Sequence, residues 1–153
     1  MANQSEASVV SLQLCVGHRE PMQVMESVRL ETGFGIEGDL HATRTGARVN
    51  RQVLLMDEET LESFGLAHGQ IRKNVTTTGI QLATLEAGTR LALGNQVVLR
   101  ITGHCEPCSF IDEIRQGLRE ELDLKRGMLA FVVSGGTINV GDPIRVLQPV
   151  KAE

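Results

Sequence analysis

From Gly88 onward the chain is a succession of short alternating apolar runs broken by glycine-containing turns, and this restricts its possible folds more than any other feature. Residues 89–93 (TRLAL) and 96–102 (QVVLRIT) alternate on either side of Gly94-Asn95, a glycine-first pair suited to a two-residue type II′ hairpin. Residues 128–133 (MLAFVV) and 144–147 (IRVL) continue the pattern and flank Gly135-Gly136 and Gly141-Asp142-Pro143. Upstream, 9–16 (VVSLQLCV), 22–30 (MQVMESVRL) and 52–56 (QVLLM) read as further strands. Only two helices are expected. Asp57 caps one over roughly 58–64, with Glu58 and Glu59 in its first turn and Gly65 beyond its end. The other runs over roughly 109–124, where Ile111, Ile114, Leu118 and Leu122 share a face. Many short strands need paired edges, so the pattern predicts a mainly β fold: a closed or nearly closed β-barrel with helical insertions.

At 153 residues the chain suits a single domain that buries a core without staples. A net charge of -4, with four Phe and neither Trp nor Tyr, argues against a nucleic-acid binder, which needs basic surface and stacking platforms. No stretch approaches the ~20 apolar residues that span a bilayer, and Met1 to Ser8 lacks a basic leader. Three cysteines are an odd count that fits a reducing cytoplasm rather than a disulfide framework.

Two of those cysteines stand in the loop His104-Cys105-Glu106-Pro107-Cys108, between a strand pattern and a helix pattern. Thiolates are strong nucleophiles and soft metal ligands, so their concentration in a loop points to chemistry. Ser109 and Asp112 read as a capping box, which sets Cys108 just outside a helix N-terminus, where unpaired N–H groups favour a thiolate. Glu106, Asp112 and Glu113 oppose it, and position alone does not fix the reactivity of Cys108. Cys15, inside the first strand, reads as a small buried hydrophobe.

Two stretches contain no carboxylate. After the glycine-rich turn that ends at Asp39, segment 41–51 carries His41, Arg44, Arg48 and Arg51; it reads either as a solvated loop or as a basic loop closing over an anionic ligand. Segment 71–79 (IRKNVTTTG) offers guanidinium, amide and hydroxyl donors suited to phosphate or pterin edges, although threonine-rich strands are common.

Taken together, GIEGDLH (35–41), RQVLL (51–55), RKNVTTTG (72–79), LEAGTRLALG (85–94), EPC (106–108) and RGMLAFVVSGGTINVGDPIRV (126–146) resemble the MOSC family, the molybdenum-cofactor sulfurase C-terminal domain. The resemblance covers nearly all of the chain beyond Thr32. It implies a MOSC-type β-barrel like the small barrel of pyruvate kinase, and a role in handling the molybdenum cofactor (molybdopterin) or its sulfur. It also implies that Cys108 is the key cysteine, as a molybdenum ligand or a persulfide carrier, and that Arg72 and Asn74 form the family's Arg-x-Asn motif. Thr76, Asp39, His41, Arg44, Arg48 and Arg51 complete the candidate cofactor contacts. A sulfur-donor or electron-donor protein is an implied partner. Such a domain either supports reduction of N-hydroxylated compounds or serves a separate enzyme as a non-catalytic cofactor or sulfur adaptor. Larger relatives carry a pyridoxal-phosphate desulfurase portion or a further N-terminal domain, and neither pattern is present here. His104 and Cys105 have no assigned family role.

Two other readings compete. The CEPC sequence resembles the CGPC of thioredoxin, a thiol–disulfide enzyme, but over four residues only. A structural zinc site needs four ligands, so His104, His41 or Cys15 would have to join the one Cys-x-x-Cys pair.

Overall fold

The computed structural model describes residues 6–68 and 70–147. Its strands are β1 (Ser8–Leu14), β2 (Gln23–Met25), β3 (Ser27–Glu31), β4 (Gly35–Ile36), β5 (Val53–Asp57), β6 (Val75–Thr78), β7 (Arg90–Leu93), β8 (Val97–His104), β9 (Met128–Ser134), β10 (Gly136–Asn139) and β11 (Ile144–Leu147). Among the described residues only two short α-helices occur, α1 (Glu58–Ser63) and α2 (Leu118–Glu121). The fold is mainly β, as the turn spacing predicts. Eight strands form one sheet in the order β11-β7-β8-β9-β5-β6-β1-β2, and β10-β3-β4 form a second. The large sheet is not a closed barrel. Its edge strand β11 nevertheless approaches β1 through the bridge Ser8↔Pro143, where the Val9 N–H donates to Asp142 O at 2.9 Å.

Alternation explains the core. In β8 the residues Val97, Leu99 and Ile101 point inward, against Leu91 and Leu93 of β7 and Ala130 and Val132 of β9. A separate apolar cluster seats the helices: Leu61 of α1 and Leu118 of α2 join Met56, Leu66, Ile71, Ile111 and Leu122. The α1 cap forms as predicted, with the Asp57 carboxylate accepting from the Thr60 N–H at 3.0 Å. β5 and β6 pair in parallel, which requires a crossover, and α1 with the loop after it supplies one.

Three local expectations are corrected. The strand expected at 22–30 is two strands in different sheets: Val24, in phase with buried Val28 and Leu30, is 73% exposed, because the chain leaves the large sheet at Glu26. The β7–β8 connection has three residues rather than two, since Leu93 pairs with Val97, and Gly94 takes a left-handed φ of 66°. The helix expected over 109–124 is a 3-10 helix, Ser109–Glu113, then α2; Gly117 at φ 88° breaks it, as its lack of a Cβ permits. The apolar face survives the break, with Ile111, Leu118 and Leu122 all buried. No helix among the described residues is long and apolar enough to cross a membrane.

Candidate functional site

β8 ends at His104, opposite Met128, and the Cys105 N–H extends the pairing by donating to Gly127 O at 2.8 Å. Cys105 is thereby held against the lead-in to β9 and buried, whereas Cys108 emerges exposed. Cys108 is itself the N-cap of the 3-10 helix, with extended backbone and no side-chain cap bond. The N-cap falls one residue before the expected Ser109, and the Asp112 carboxylate accepts from the Arg119 N–H at 2.9 Å, across the Gly117 break. A 3-10 helix of five residues carries only a small dipole, so the helix start adds little positive field at Cys108.

The cation next to this loop is Arg126, which precedes Gly127, the partner of the Cys105 N–H. Gly127 has φ 130°, and a Cβ there would lie 2.6 Å from Leu55 O, so only glycine lets this chain pack against β5. The preceding Arg126 is turned inward and is 7% exposed. Its Nη2 donates to Arg72 O at 2.7 Å, while its buried Nη1 has no partner. Burial lowers its pKa, and its electrostatic interaction with Cys105 and Cys108 opposes that shift. Lys73 lies close enough for Arg126 to repel it. It is 1% exposed, with Nζ donating to Gln13 Oε1 at 3.1 Å and His68 O at 2.9 Å. Burial first, and Arg126 second, push its pKa down to about 8. Among the described residues neither cation forms an ion pair with a carboxylate.

The neighbouring Arg72, half-buried, donates from Nη1 to Cys15 Sγ at 3.0 Å and to Met22 Sδ at 3.5 Å, and from Nη2 to Glu20 O. All of these acceptors lie on one segment of chain. Asn74 is buried and spent within the protein: Nδ2 donates to Gln13 O at 3.2 Å and Asp39 Oδ1 at 2.9 Å, and Oδ1 accepts from Leu54 N at 3.0 Å. Asp39 Oδ1 also accepts from Cys15 N at 2.7 Å, while its Oδ2 accepts from His41 N at 3.0 Å and lies 3.3 Å from His41 Nδ1. Burial works to raise the Asp39 pKa, but these hydrogen bonds hold it below the usual carboxylate range. Thr76 is buried in β6, its hydroxyl 3.4 Å from Ser11 Oγ. One network therefore joins His41, Asp39, Asn74, Cys15 and Arg72, and the Arg72 carbonyl links it to Arg126 beside the cysteine loop. Arg44 stands apart, paired with Glu31 and stacked 4.9 Å over Phe34. Arg48 and Arg51 are exposed on the 3-10 helix Ala47–Arg51.

A family model for the MOSC domain matches residues 42–145. The chain belongs to the MOSC domain family. Its fold is similar to the YuaD protein of Bacillus subtilis, with 21% identity over 94% of this chain and 97% of that one, at a TM-score of 0.75. It is also similar to YiiM from Escherichia coli (14% identity, 94% of this chain and 71% of that one, TM-score 0.69) and from Geobacillus stearothermophilus (16%, 93% and 75%, TM-score 0.69). At these identities the likeness is one of fold. No curated protein sequence matches the chain significantly.

The matched region of this MOSC domain holds Arg72, Lys73, Asn74, Cys108 and Arg126, while Cys15, Asp39 and His41 precede it. Lys73 and Arg126 are the residues that sequence reasoning missed. Lys73 hides between the two members of an Arg-x-Asn motif, and Arg126 follows Lys125 at what reads as a basic helix end. The one sequence signal for Arg126 is Gly127, which forces a close backbone approach. A cavity of about 830 Å³ lies elsewhere, lined by Arg29, Glu31, Glu37, Gln96 and Gly135 among others. Its charges are already paired, Arg29 with Glu37 at 3.3 Å and Glu31 with Arg44. Among the described residues no three His, Cys, Asp or Glu side chains are grouped to hold a metal ion. What the cysteine loop and its neighbours offer is one accessible thiol beside buried cations that lack counter-ions.

Proposed function

We propose that this MOSC domain binds the molybdenum cofactor and that Cys108 is its sulfur-bearing residue, either ligating molybdenum directly or carrying persulfide sulfur. The observation that carries the reading is the exposed Cys108 thiol beside Arg126, a buried guanidinium with an unpartnered Nη1 and no carboxylate counter-ion. A soft thiolate suits molybdenum in a sulfur-rich ligand set, and a cationic surround suits an anionic cofactor. The residues present therefore fit the group. When bound, the cofactor supplies a redox-active metal. Arg72 would hold its anionic part, because the sulfur and carbonyl acceptors it now uses are neutral and a phosphate forms roughly twofold stronger hydrogen bonds. Asn74 and Asp39 act by fixing the segment that carries Arg72, since their polar atoms are already engaged. Thr76 backs them from β6. His41, Arg44, Arg48 and Arg51 would offer outer contacts, with Arg44 giving up its pairing to Glu31. In a redox role the domain would draw on a separate electron donor and act on N-hydroxylated compounds; in a carrier role it would pass cofactor or sulfur to another enzyme.

The test is to purify wild-type protein and Cys108→Ser from cells that make molybdenum cofactor, then measure bound metal, oxidised-pterin fluorescence and protein-bound sulfane sulfur. Wild-type protein is expected to carry pterin together with metal or sulfane sulfur, and the variant to lose the metal or the sulfur. Absence of both metal and pterin from the wild-type protein overturns the reading. Turnover with a reductant and an N-hydroxylated substrate then separates enzyme from carrier.

A further inference from the structure

Arg126 and Lys73 present an electrostatic problem that the protein does not solve with its own carboxylates. Each is nearly inaccessible, at 7% and 1% exposed, and each repels the other. Taking a cation out of water costs several kcal/mol unless an anion or a full set of hydrogen bonds compensates. Lys73 has two neutral acceptors, Gln13 Oε1 and His68 O; Arg126 has one, Arg72 O, and leaves Nη1 with none. The cysteine loop is tied beside Arg126 by the Cys105 N–H, which donates to Gly127 O at 2.8 Å. Of the two sulfurs in this loop only that of Cys108 is exposed. A cationic seat with an unused buried donor thus lies beside one accessible nucleophile.

From this we infer that the Arg126–Lys73 pair is an anion seat, and that the sulfur donor accepted by Cys108 is a small oxyanion bearing sulfane sulfur, of the thiosulfate class. The inference rests on the persulfide form of the proposed function. In the step, the Cys108 thiolate attacks the sulfane sulfur of thiosulfate. A sulfur–sulfur bond forms to Cys108 while the bond between sulfane sulfur and the sulfonate group breaks, and sulfite leaves with the electron pair. Three negative charges enter and three remain, one on the persulfide and two on sulfite, so no outside oxidant or reductant is required. The charge that builds on the departing sulfite is what Arg126 stabilises, with Lys73 adding to the field.

The full chain is incubated with thiosulfate or with cysteamine persulfide, a donor that carries no oxyanion. Sulfite release, mass gain of one sulfur and cyanolysable sulfur are followed. Wild-type protein is expected to load from thiosulfate, and Cys108→Ser from neither donor. Arg126→Met should cut the preference for thiosulfate over cysteamine persulfide by about tenfold, the loss expected for one charge-assisted hydrogen bond, and Arg126→Lys should restore most of it. Should Arg126→Met fail to fold, Lys73→Met carries the same test, with a smaller fall in preference. If cysteamine persulfide loads Cys108 while thiosulfate does not, or if the preference is unchanged in the folded variants, the anion seat is wrong and the persulfide reading stands. If neither donor loads Cys108, the persulfide reading falls and takes the inference with it.

Discussion

Segments 41–51 and 71–79 share one sequence property, the absence of any Asp or Glu, yet the fold puts them to opposite uses. No residue of 41–51 is buried; its exposed Arg44 reaches out to Glu31, and His41 at its start lies 3.3 Å from Asp39. In 71–79, by contrast, Ile71, Lys73, Asn74, Val75, Thr76 and Thr77 are all buried. The difference comes from what borders each segment. Segment 71–79 runs into β6, which lies between β5 and β1, so its side chains are enclosed whatever their polarity. Segment 41–51 belongs to no strand and ends in a 3-10 helix without a buried residue. Acid-free composition therefore marks two different things: a solvated basic face in one case, and a buried donor set without counter-ions in the other.

The comparison can be broken in order of expected effect. Asn74→Ala should be the most damaging change, because it leaves Leu54 N, Gln13 O and Asp39 Oδ1 each short of a partner. We expect a loss of about 3 kcal/mol or more in chemical denaturation. A loss below about 1 kcal/mol would mean that water substitutes freely and that the segment is less enclosed than it looks.

Next is the pH dependence set by Lys73. Its folded pKa of about 8 lies below the ordinary 10.5, so the charged form is disfavoured in the folded state and the unfolded chain binds more protons between those values. Stability should rise as pH climbs from about 8 towards 10.5, by up to about 3 kcal/mol, and be flat in this respect below pH 7. Lys73→Met should remove the rise and leave the variant at least as stable as wild type at neutral pH. Thermal melts across that range decide it, with the difference between wild type and Lys73→Met isolating the lysine's share.

Smaller again, Arg72→Ala should weaken cofactor binding by ~1.5–3 kcal/mol while the domain stays folded. Smallest, Arg44→Ala and Arg48→Ala should change stability by no more than ~0.5 kcal/mol, as exposed charges do. If Arg48→Ala weakens cofactor binding as much as Arg72→Ala does, the exposed loop is part of the site and the contrast drawn above collapses.

What could be read from the sequence was whatever local physics controls. The α1 cap at Asp57, the alternation in β8 and the apolar face through Ile111, Leu118 and Leu122 depend on neighbours a few residues away, and they appear as expected. The family resemblance likewise rests on the order of short segments, and the matched region bears it out. The parallel pairing of β5 with β6 and the passage of the chain between sheets at Glu26 depend on partners far along the chain, and no periodicity reports them. The site divides in the same way. The accessible cysteine could be singled out by residue type alone. The inward turn of Arg126 could not, because it follows from the close approach of Gly127 to Leu55.

The bridge between Ser8 and Pro143 has a consequence for how the chain reaches this state. β1 is synthesised more than a hundred residues before its partners here, yet the backbone groups of Val9 bond to Gly141 and Asp142, at the far end of the described chain. Loop-closure entropy has to be met before such a contact returns any stabilisation, so folding should be slow for a domain of this size. On the ribosome, β1 and β6 could pair early, but that rim of the sheet would stay open until residues 141–143 emerged. Pulsed hydrogen exchange should therefore show the amide of Val9 becoming protected late, together with that of Gly141.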